Sequence, residues 1–159
     1  MNTTERKRGT PRWLACLLAA ALAAAIFGTA QAQTVTELRA AVAERPDDAE
    51  AWTSLGNALL DEDDLDGAKE AYLEAIAVDY LDGDAHYGLG LAEFGRGDFA
   101  AALFAFNEVA RLYPDRFDGH FNRAVTLARL RRPSQAAEAF QRALDEASPE
   151  ATGADRLNA

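Results

Sequence analysis

Apolar residues recur along the chain with the three- and four-residue spacing of amphipathic helices, in segments separated by short polar turns. The pattern predicts six helices in three consecutive pairs, preceded by one further helical segment. An all-α protein built of antiparallel helix pairs is therefore expected. The predicted bounds are 34–44, 49–60, 66–78, 83–94, 99–112, 118–130 and 134–147.

The helix pairs repeat with a period of 34 residues. Small residues on both helices of a pair would let their backbones approach closely, and one aromatic residue would fill the space between that pair and the next. A single pair cannot bury its apolar face, so the copies are expected to stack. The aligned columns are Trp52, His86 and His120; Gly56, Gly90 and Ala124; Ala68, Ala102 and Ala136; Tyr72, Phe106 and Phe140; and Ala75, Val109 and Ala143.

These columns resemble the tetratricopeptide repeat, which combines a large residue, a Leu-Gly pair, an Ala-x-x-x-aromatic segment and a closing proline. The third copy matches less well, since Arg123 and Ala124 replace the Leu-Gly pair. The resemblance implies a right-handed superhelical stack of helix pairs, a tetratricopeptide solenoid. Its expected parts are an N-terminal half repeat at 33–48, repeats at 49–82 and 83–116, a degenerate repeat at 117–149 and a flexible tail at 150–159.

The first 32 residues have the pattern of a secretory signal peptide. A basic start precedes the uncharged apolar run 13–27, and Ala30 and Ala32 form a small-x-small cleavage site. Cys16 stands near the beginning of the apolar run, unlike a lipid-attachment cysteine, which stands at its close. Export to the periplasm or the extracellular space is therefore expected, with no stable membrane insertion after cleavage. The alternative is retention of residues 13–32 as an inner-membrane anchor.

The net charge of the mature chain limits the kinds of partner it can bind, and its cysteine content indicates what stabilises it. The leader carries one acidic and four basic residues, so its removal changes the net charge from −10 to −13. This charge argues against nucleic acid as a partner. The remaining chain has no cysteine, so its stability depends on packing rather than on disulfides.

The tripeptide Arg96-Gly97-Asp98 matches an adhesion motif, but its place in the repeat gives a simpler interpretation. Gly97 and Asp98 align with Asp63 and Asp64, in the turn between the two helices of a repeat. Glycine there supplies a positive backbone dihedral, and aspartate caps the next helix. The tripeptide is thus predicted to be a turn, with no role assigned to Arg96.

No arrangement of residues predicts catalysis, and no cofactor is expected. The acidic run 61–67 resembles the start of a calcium loop, but the glutamate that should close it would fall on Leu73. His86 and His120 could suggest a metal pair, but their column also holds Trp52, which favours packing. The chain is accordingly predicted not to be an enzyme, and a metal-binding module is retained only as a weaker alternative.

The surface best suited to a partner is the concave groove that the first helices of the repeats form in such stacks. An apolar strip with an acidic rim would favour a basic or apolar peptide or helix. The lysine and arginine of the carboxylate clamp known in some relatives are missing, with Thr53 and Asp118 in their places. The predicted groove residues are Glu50, Thr53, Asn57, Leu60, Asp61, Asp84, Tyr87, Leu91, Phe94, Asp118, Phe121, Val125 and Arg129.

The favoured function is a non-enzymatic scaffold or adaptor of the bacterial cell envelope that binds another protein. A membrane-tethered assembly factor is the main alternative. Self-association is also possible, because Phe140 and Leu144 would give the last helix an apolar side with no following repeat to cover it.

Overall fold

The computed structural model describes residues 35–147 of the chain. By its contacts the chain divides into two units, Met1–Glu37 and Leu38–Ala159, and the helix pairs all belong to the second unit. The predicted signal peptide, with Ala30 and Ala32, and the predicted tail lie outside the described residues.

The described residues form seven α-helices. Helix α1 spans 35–44, and the prediction of an all-α stack of helix pairs is confirmed. The observed bounds agree with the predicted ones to within one residue at most ends. The other helices are α2 (Ala49–Asp61), α3 (Leu65–Val78), α4 (Gly83–Gly95), α5 (Phe99–Leu112), α6 (Phe117–Arg129) and α7 (Pro133–Ala147).

Helices α2 and α3, α4 and α5, and α6 and α7 form the three repeats, and within each the first member is the A helix and the second the B helix. Each helix from α2 onward packs on the next, and α2 also packs on α4. The core follows the columns of small residues: Ala68 and Ala102 are fully buried, and Ala136 is nearly so. A Cβ atom on Gly90 would lie 2.5 Å from a ring carbon of Phe106, which shows why the A helix needs a small residue here.

The turn from A helix to B helix repeats with the same period. The residue with positive φ is Asp63 in the first repeat, Gly97 in the second and Arg131 in the third. Asp64 and Asp98 follow and cap the B helices, each accepting a hydrogen bond of 3.0 Å from a backbone amide of the first turn. The prediction that Gly97 and Asp98 form a turn and cap is confirmed.

Candidate partner-binding groove

The predicted groove residues all lie on α2, α4 and α6, and this surface is called the A-helix face below. They differ in how much of each side chain solvent can reach. Thr53 is only 8% exposed, so little of its side chain is available to a partner. Exposed members are Glu50, Asn57, Asp61, Asp84, Phe121 and Arg129, and partly buried members are Leu60, Tyr87, Leu91, Phe94, Asp118 and Val125.

A groove of about 560 Å³ lies between α2 and α4. Its lining includes Thr53, Asn57 and Tyr87. It also includes four carboxylates, those of Glu50, Asp79, Asp82 and Asp84. We call it the acidic groove. Asp79 and Asp82 were missed by sequence reasoning, because they come from the turn between repeats rather than from an A helix. Asp82 could have been found from the period, since it follows the capping residue Asp48 by 34 positions.

Both carboxylate oxygens of Asp82 accept hydrogen bonds at the base of the acidic groove. Its Oδ1 accepts hydrogen bonds of 2.9 Å from the amides of Asp84 and Ala85, which caps α4. Its Oδ2 accepts a hydrogen bond of 2.7 Å from the Thr53 hydroxyl of the preceding repeat. The acidic groove therefore has a rigid base that joins two repeats.

Tyr87 is held at the other edge of the acidic groove. Its ring packs edge-on against Phe106 at 5.9 Å between centroids, and the Arg116 guanidinium lies 4.9 Å from its ring centre. Asn122 donates a 3.0 Å hydrogen bond to its hydroxyl. Burial, and next the carboxylate of Asp118, raise the pKa of Tyr87 above its ordinary value.

Three aromatic residues of the third repeat, two on the A helix α6 and one on the B helix α7, form a group that we call the phenylalanine cluster. Phe117 and Phe121 stack at 5.7 Å, and Phe121 meets Phe140 edge-on at 5.7 Å. Phe117 and Phe121 are 44% and 42% exposed, so their rings present apolar surface to solvent. Phe117 was not predicted, because its counterparts in the earlier repeats are Ala49 and Gly83.

A cation covers part of the predicted apolar strip, whose members are Tyr87, Leu91, Phe94, Phe121 and Val125. The Arg129 guanidinium lies 5.4 Å from the ring centre of Phe94 and 4.8 Å from that of Phe99. Arg129, predicted as a separate lining residue, therefore covers part of Phe94. The A-helix face thus offers the acidic groove at one end and the phenylalanine cluster at the other.

The column of Trp52, His86 and His120 has one hydrogen-bonding role in all three repeats. In each case the ring nitrogen contacts the carbonyl oxygen six residues earlier, at 2.9, 3.0 and 2.8 Å. A carbonyl oxygen only accepts, so Nε2 of each histidine carries the hydrogen. Both histidines are buried, at 3% and 5% exposure. The residues of this column therefore pack in the core and anchor each A helix to the preceding turn.

Among residues 35–147 no three histidine, cysteine, aspartate or glutamate side chains are grouped as metal ligands would be. No helix within the same range has the length and apolar character that crossing a bilayer requires.

Arg96, to which the sequence assigned no role, joins the first two repeats. It pairs with Glu93 and with Asp66, both at 2.6 Å. Lys69 of α3 also pairs with Glu93, at 2.8 Å, and Glu93 is only 4% exposed. A buried carboxylate held by two cations therefore lies between these repeats, although the same column holds leucine at Leu59 and Leu127.

Stacked helix pairs with one period and an open A-helix face define the class of helical-repeat scaffolds. A family model described as tetratricopeptide repeat matches residues 15–68, 53–116 and 94–152. The chain therefore belongs to the tetratricopeptide repeat family, and the resemblance seen in its columns is confirmed. The family and the fold are those of protein–protein interaction scaffolds, whose members are typically not enzymes.

The fold is similar to that of solved structures of MamA. One crystal structure of MamA has 24% sequence identity and a TM-score of 0.71 over 74% of this chain and 69% of that chain. A second has 24% identity and a TM-score of 0.73 over 77% and 67%. A MamA double mutant has 23% identity and a TM-score of 0.72 over 81% and 72%. At these identities the likeness is one of fold, and no curated protein matches the chain in sequence.

Proposed function

We propose that the A-helix face binds a peptide or helix of a partner protein, and that the chain acts as a non-enzymatic adaptor. The observation that carries this proposal is the pairing of the acidic groove with the exposed phenylalanine cluster on one surface. Exposed aromatic rings are typical anchors of protein interfaces. A rigid scaffold that presents them loses little conformational entropy when a partner binds.

The chemistry of the face favours a partner with a basic and an apolar part. The acidic groove is lined by four carboxylates, of which Asp84 is paired with Arg116 and Asp82 caps a helix. A lysine or arginine of the partner would fit beside Glu50 and Asp79, and an apolar side chain would pack on Phe117 and Phe121. Such electrostatic attraction acts mainly on the rate of association, whereas the aromatic contacts act on the rate of release.

The cell envelope is the proposed location, supported by the basic start, apolar run and cleavage site of residues 1–32. Determining the N-terminal residue of protein recovered from envelope fractions would test it. A mature chain beginning at Gln33 would support an exported adaptor. A chain that keeps residues 13–32 would favour the tethered assembly factor instead.

The binding proposal is tested by purifying partners from envelope extracts with the immobilised protein and measuring the affinity of a purified partner. Phe121→Ala and Tyr87→Ala are each expected to weaken binding by about 1–3 kcal/mol. Neutralising Glu50 and Asp79 together, as Glu50→Gln and Asp79→Asn, should slow association and reduce its dependence on salt. Circular dichroism would check that each variant keeps its helices.

Leu73→Ala is a matched control for the aromatic variants, because Leu73 is 45% exposed but lies on the B helix α3. It should leave the affinity unchanged. A partner that binds the Tyr87→Ala, Phe121→Ala double variant as tightly as the parent would show that the A-helix face is not the site.

Self-association is a second candidate, favoured by Leu144, which is 60% exposed, and by the partly buried Phe140. Sedimentation velocity of the parent and of Leu144→Glu would separate the two proposals. A dimer that the substitution abolishes would assign the apolar side of α7 to a second copy of the chain.

A further inference from the structure

A polar pocket of about 250 Å³ lies between the second and third repeats. Residues of α5, α6 and α7 line it, together with Arg132 just before α7, and it shares no residue with the acidic groove. Two arginines, Arg123 and Arg132, face this pocket, so we call it the arginine pocket. The amide side chains of Asn107 and Gln135 add further hydrogen-bond donors to its lining.

Arg123 takes a place that belongs to the core in the other repeats. Its column holds Leu55 and Leu89, which are only 4% and 9% exposed. Its Nε atom is shut off from solvent and has no hydrogen-bond partner among the described residues, although the side chain as a whole is partly exposed. A buried N–H without an acceptor is rare and costs stability, so an acceptor placed in the pocket would be favourable.

Neither arginine of the pocket is neutralised by the part of the chain that the structure describes. The ion pairs within residues 35–147 involve Arg45, Lys69, Arg96, Arg111, Arg116 and Arg142, but not Arg123 or Arg132. Glu138 lines the pocket, but its side chain is 67% exposed and its carboxylate pairs with Arg142 at 3.2 Å. The pocket therefore carries two arginines against one carboxylate that is engaged elsewhere.

The corresponding space between the first and second repeats shows what such a site accommodates. There the carboxylate of Glu93 lies buried between Lys69 and Arg96, at 2.8 and 2.6 Å. One period later Leu127 replaces Glu93 and Leu103 replaces Lys69, and both leucines line the arginine pocket. The third repeat thus has two cations beside a space in which leucine, rather than a carboxylate, occupies the position of Glu93.

We propose that the arginine pocket binds a carboxylate group supplied from outside the described fold. The group would take the place that Glu93 occupies one repeat earlier, with Arg123 and Arg132 as its charged partners. Both a small dicarboxylate and an acidic side chain of a peptide offer this chemistry. The site is distinct from the A-helix face, so a test of this proposal does not depend on whether the acidic groove binds a partner.

Succinate is the first probe, used at pH 7 with sodium chloride at matched ionic strength as the reference. Binding should raise the Tm of the parent by about 3–6 °C at ten times the Kd. It should also shift the side-chain Nε–Hε NMR signals of Arg123 and Arg132 in a saturable way, which a purely structural role would not cause. A peptide with one internal glutamate and blocked ends, and another whose only carboxylate is its C-terminus, would separate the two sources.

Arg123→Leu is the informative variant, because it restores the residue of its column and should fold at least as stably as the parent. It should lose the response to succinate, whereas Arg132→Gln should reduce it. Arg111→Leu is the matched control, since Arg111 lies on α5 outside the pocket, and its response should equal that of the parent. An equal rise in Tm for the parent and Arg123→Leu, the absence of any saturable shift, or stronger binding of inorganic phosphate would overturn the proposal.

Discussion

The first two repeats and the third share one backbone plan but differ in what stabilises their ends. Asp48, Asp64, Asp82 and Asp98 cap the four helices of the first two repeats. Arg116 begins α6 without a side-chain cap, and Arg132, which cannot accept a hydrogen bond, precedes α7. The comparison teaches that the helices of the third repeat depend more on packing, of α6 on α5 and of α7 on α6, than on side-chain caps.

The same difference appears in the aromatic column and in the charge. Tyr72 and Phe106 are 0% and 1% exposed, because the next A helix covers them, whereas Phe140 is only partly buried. Residues 49–82 carry ten acidic side chains and one basic, and residues 117–149 carry four acidic and five basic. The repeat that departs furthest from the motif therefore offers the exposed rings, together with two arginines that form no ion pair within residues 35–147.

The largest expected effect separates the covered aromatic residues from the uncovered one. Phe106→Ala should lower the free energy of unfolding by about 3–5 kcal/mol, because it leaves a cavity between two repeats. Phe140→Ala should cost about half as much or less, since its site is already open on one side. Urea unfolding monitored by circular dichroism would measure both. Equal losses would contradict the distinction between inner and terminal repeats.

The next effect concerns the buried Glu93 carboxylate and its two partly exposed cations, an arrangement found among the described residues between the first two repeats. The double variant Lys69→Met, Arg96→Met should cost about 2–4 kcal/mol, because it leaves the Glu93 carboxylate buried without either cation. Glu93→Leu, which matches Leu59 and Leu127, should change stability by less than about 1 kcal/mol.

Adding Glu93→Leu to the double variant provides the control and should recover most of the loss. Denaturant titrations of the four proteins form the test. No recovery in the triple variant would show that the cost comes from lost packing of Lys69 and Arg96 rather than from an unpaired charge.

The smallest effect concerns the caps. Asp98→Ala should cost about 1 kcal/mol, since the Ala101 amide in the first turn of α5 loses its acceptor. Arg132→Asp should stabilise the third repeat by up to about 1 kcal/mol, because it restores the cap of the other repeats and places a negative charge at a helix N-terminus. Asp115→Ala, at an exposed turn position, is the control and should be neutral. A loss of stability in Arg132→Asp would indicate that Arg132 has a structural role in its pocket.

Much of the fold could be predicted from the sequence, because the same residue types recur at equivalent positions in three repeats. Helix bounds, the small residues of the core and the turn at Gly97 all follow from columns that agree with one another. The third repeat could also be recognised as divergent from Arg123 alone.

The site was predicted less completely, because it depends on side chains from different repeats. The acidic groove includes Asp79 and Asp82, which a face drawn on single helices omits. Arg129 lies over Phe94, although both were predicted to line the groove. No period indicates such contacts, because they depend on the distance between neighbouring helices and on the rotamer of a long side chain.

Packing between neighbours has a consequence for how the chain folds. The helix pairs in contact are α2 with α3, α3 with α4 and so on, together with α2 and α4, so each contact closes a loop of about one repeat or less. Short loops lose little entropy on closure, and a topology of this kind has a low relative contact order. We therefore expect folding within microseconds to milliseconds, beginning in the capped first two repeats and adding the third last.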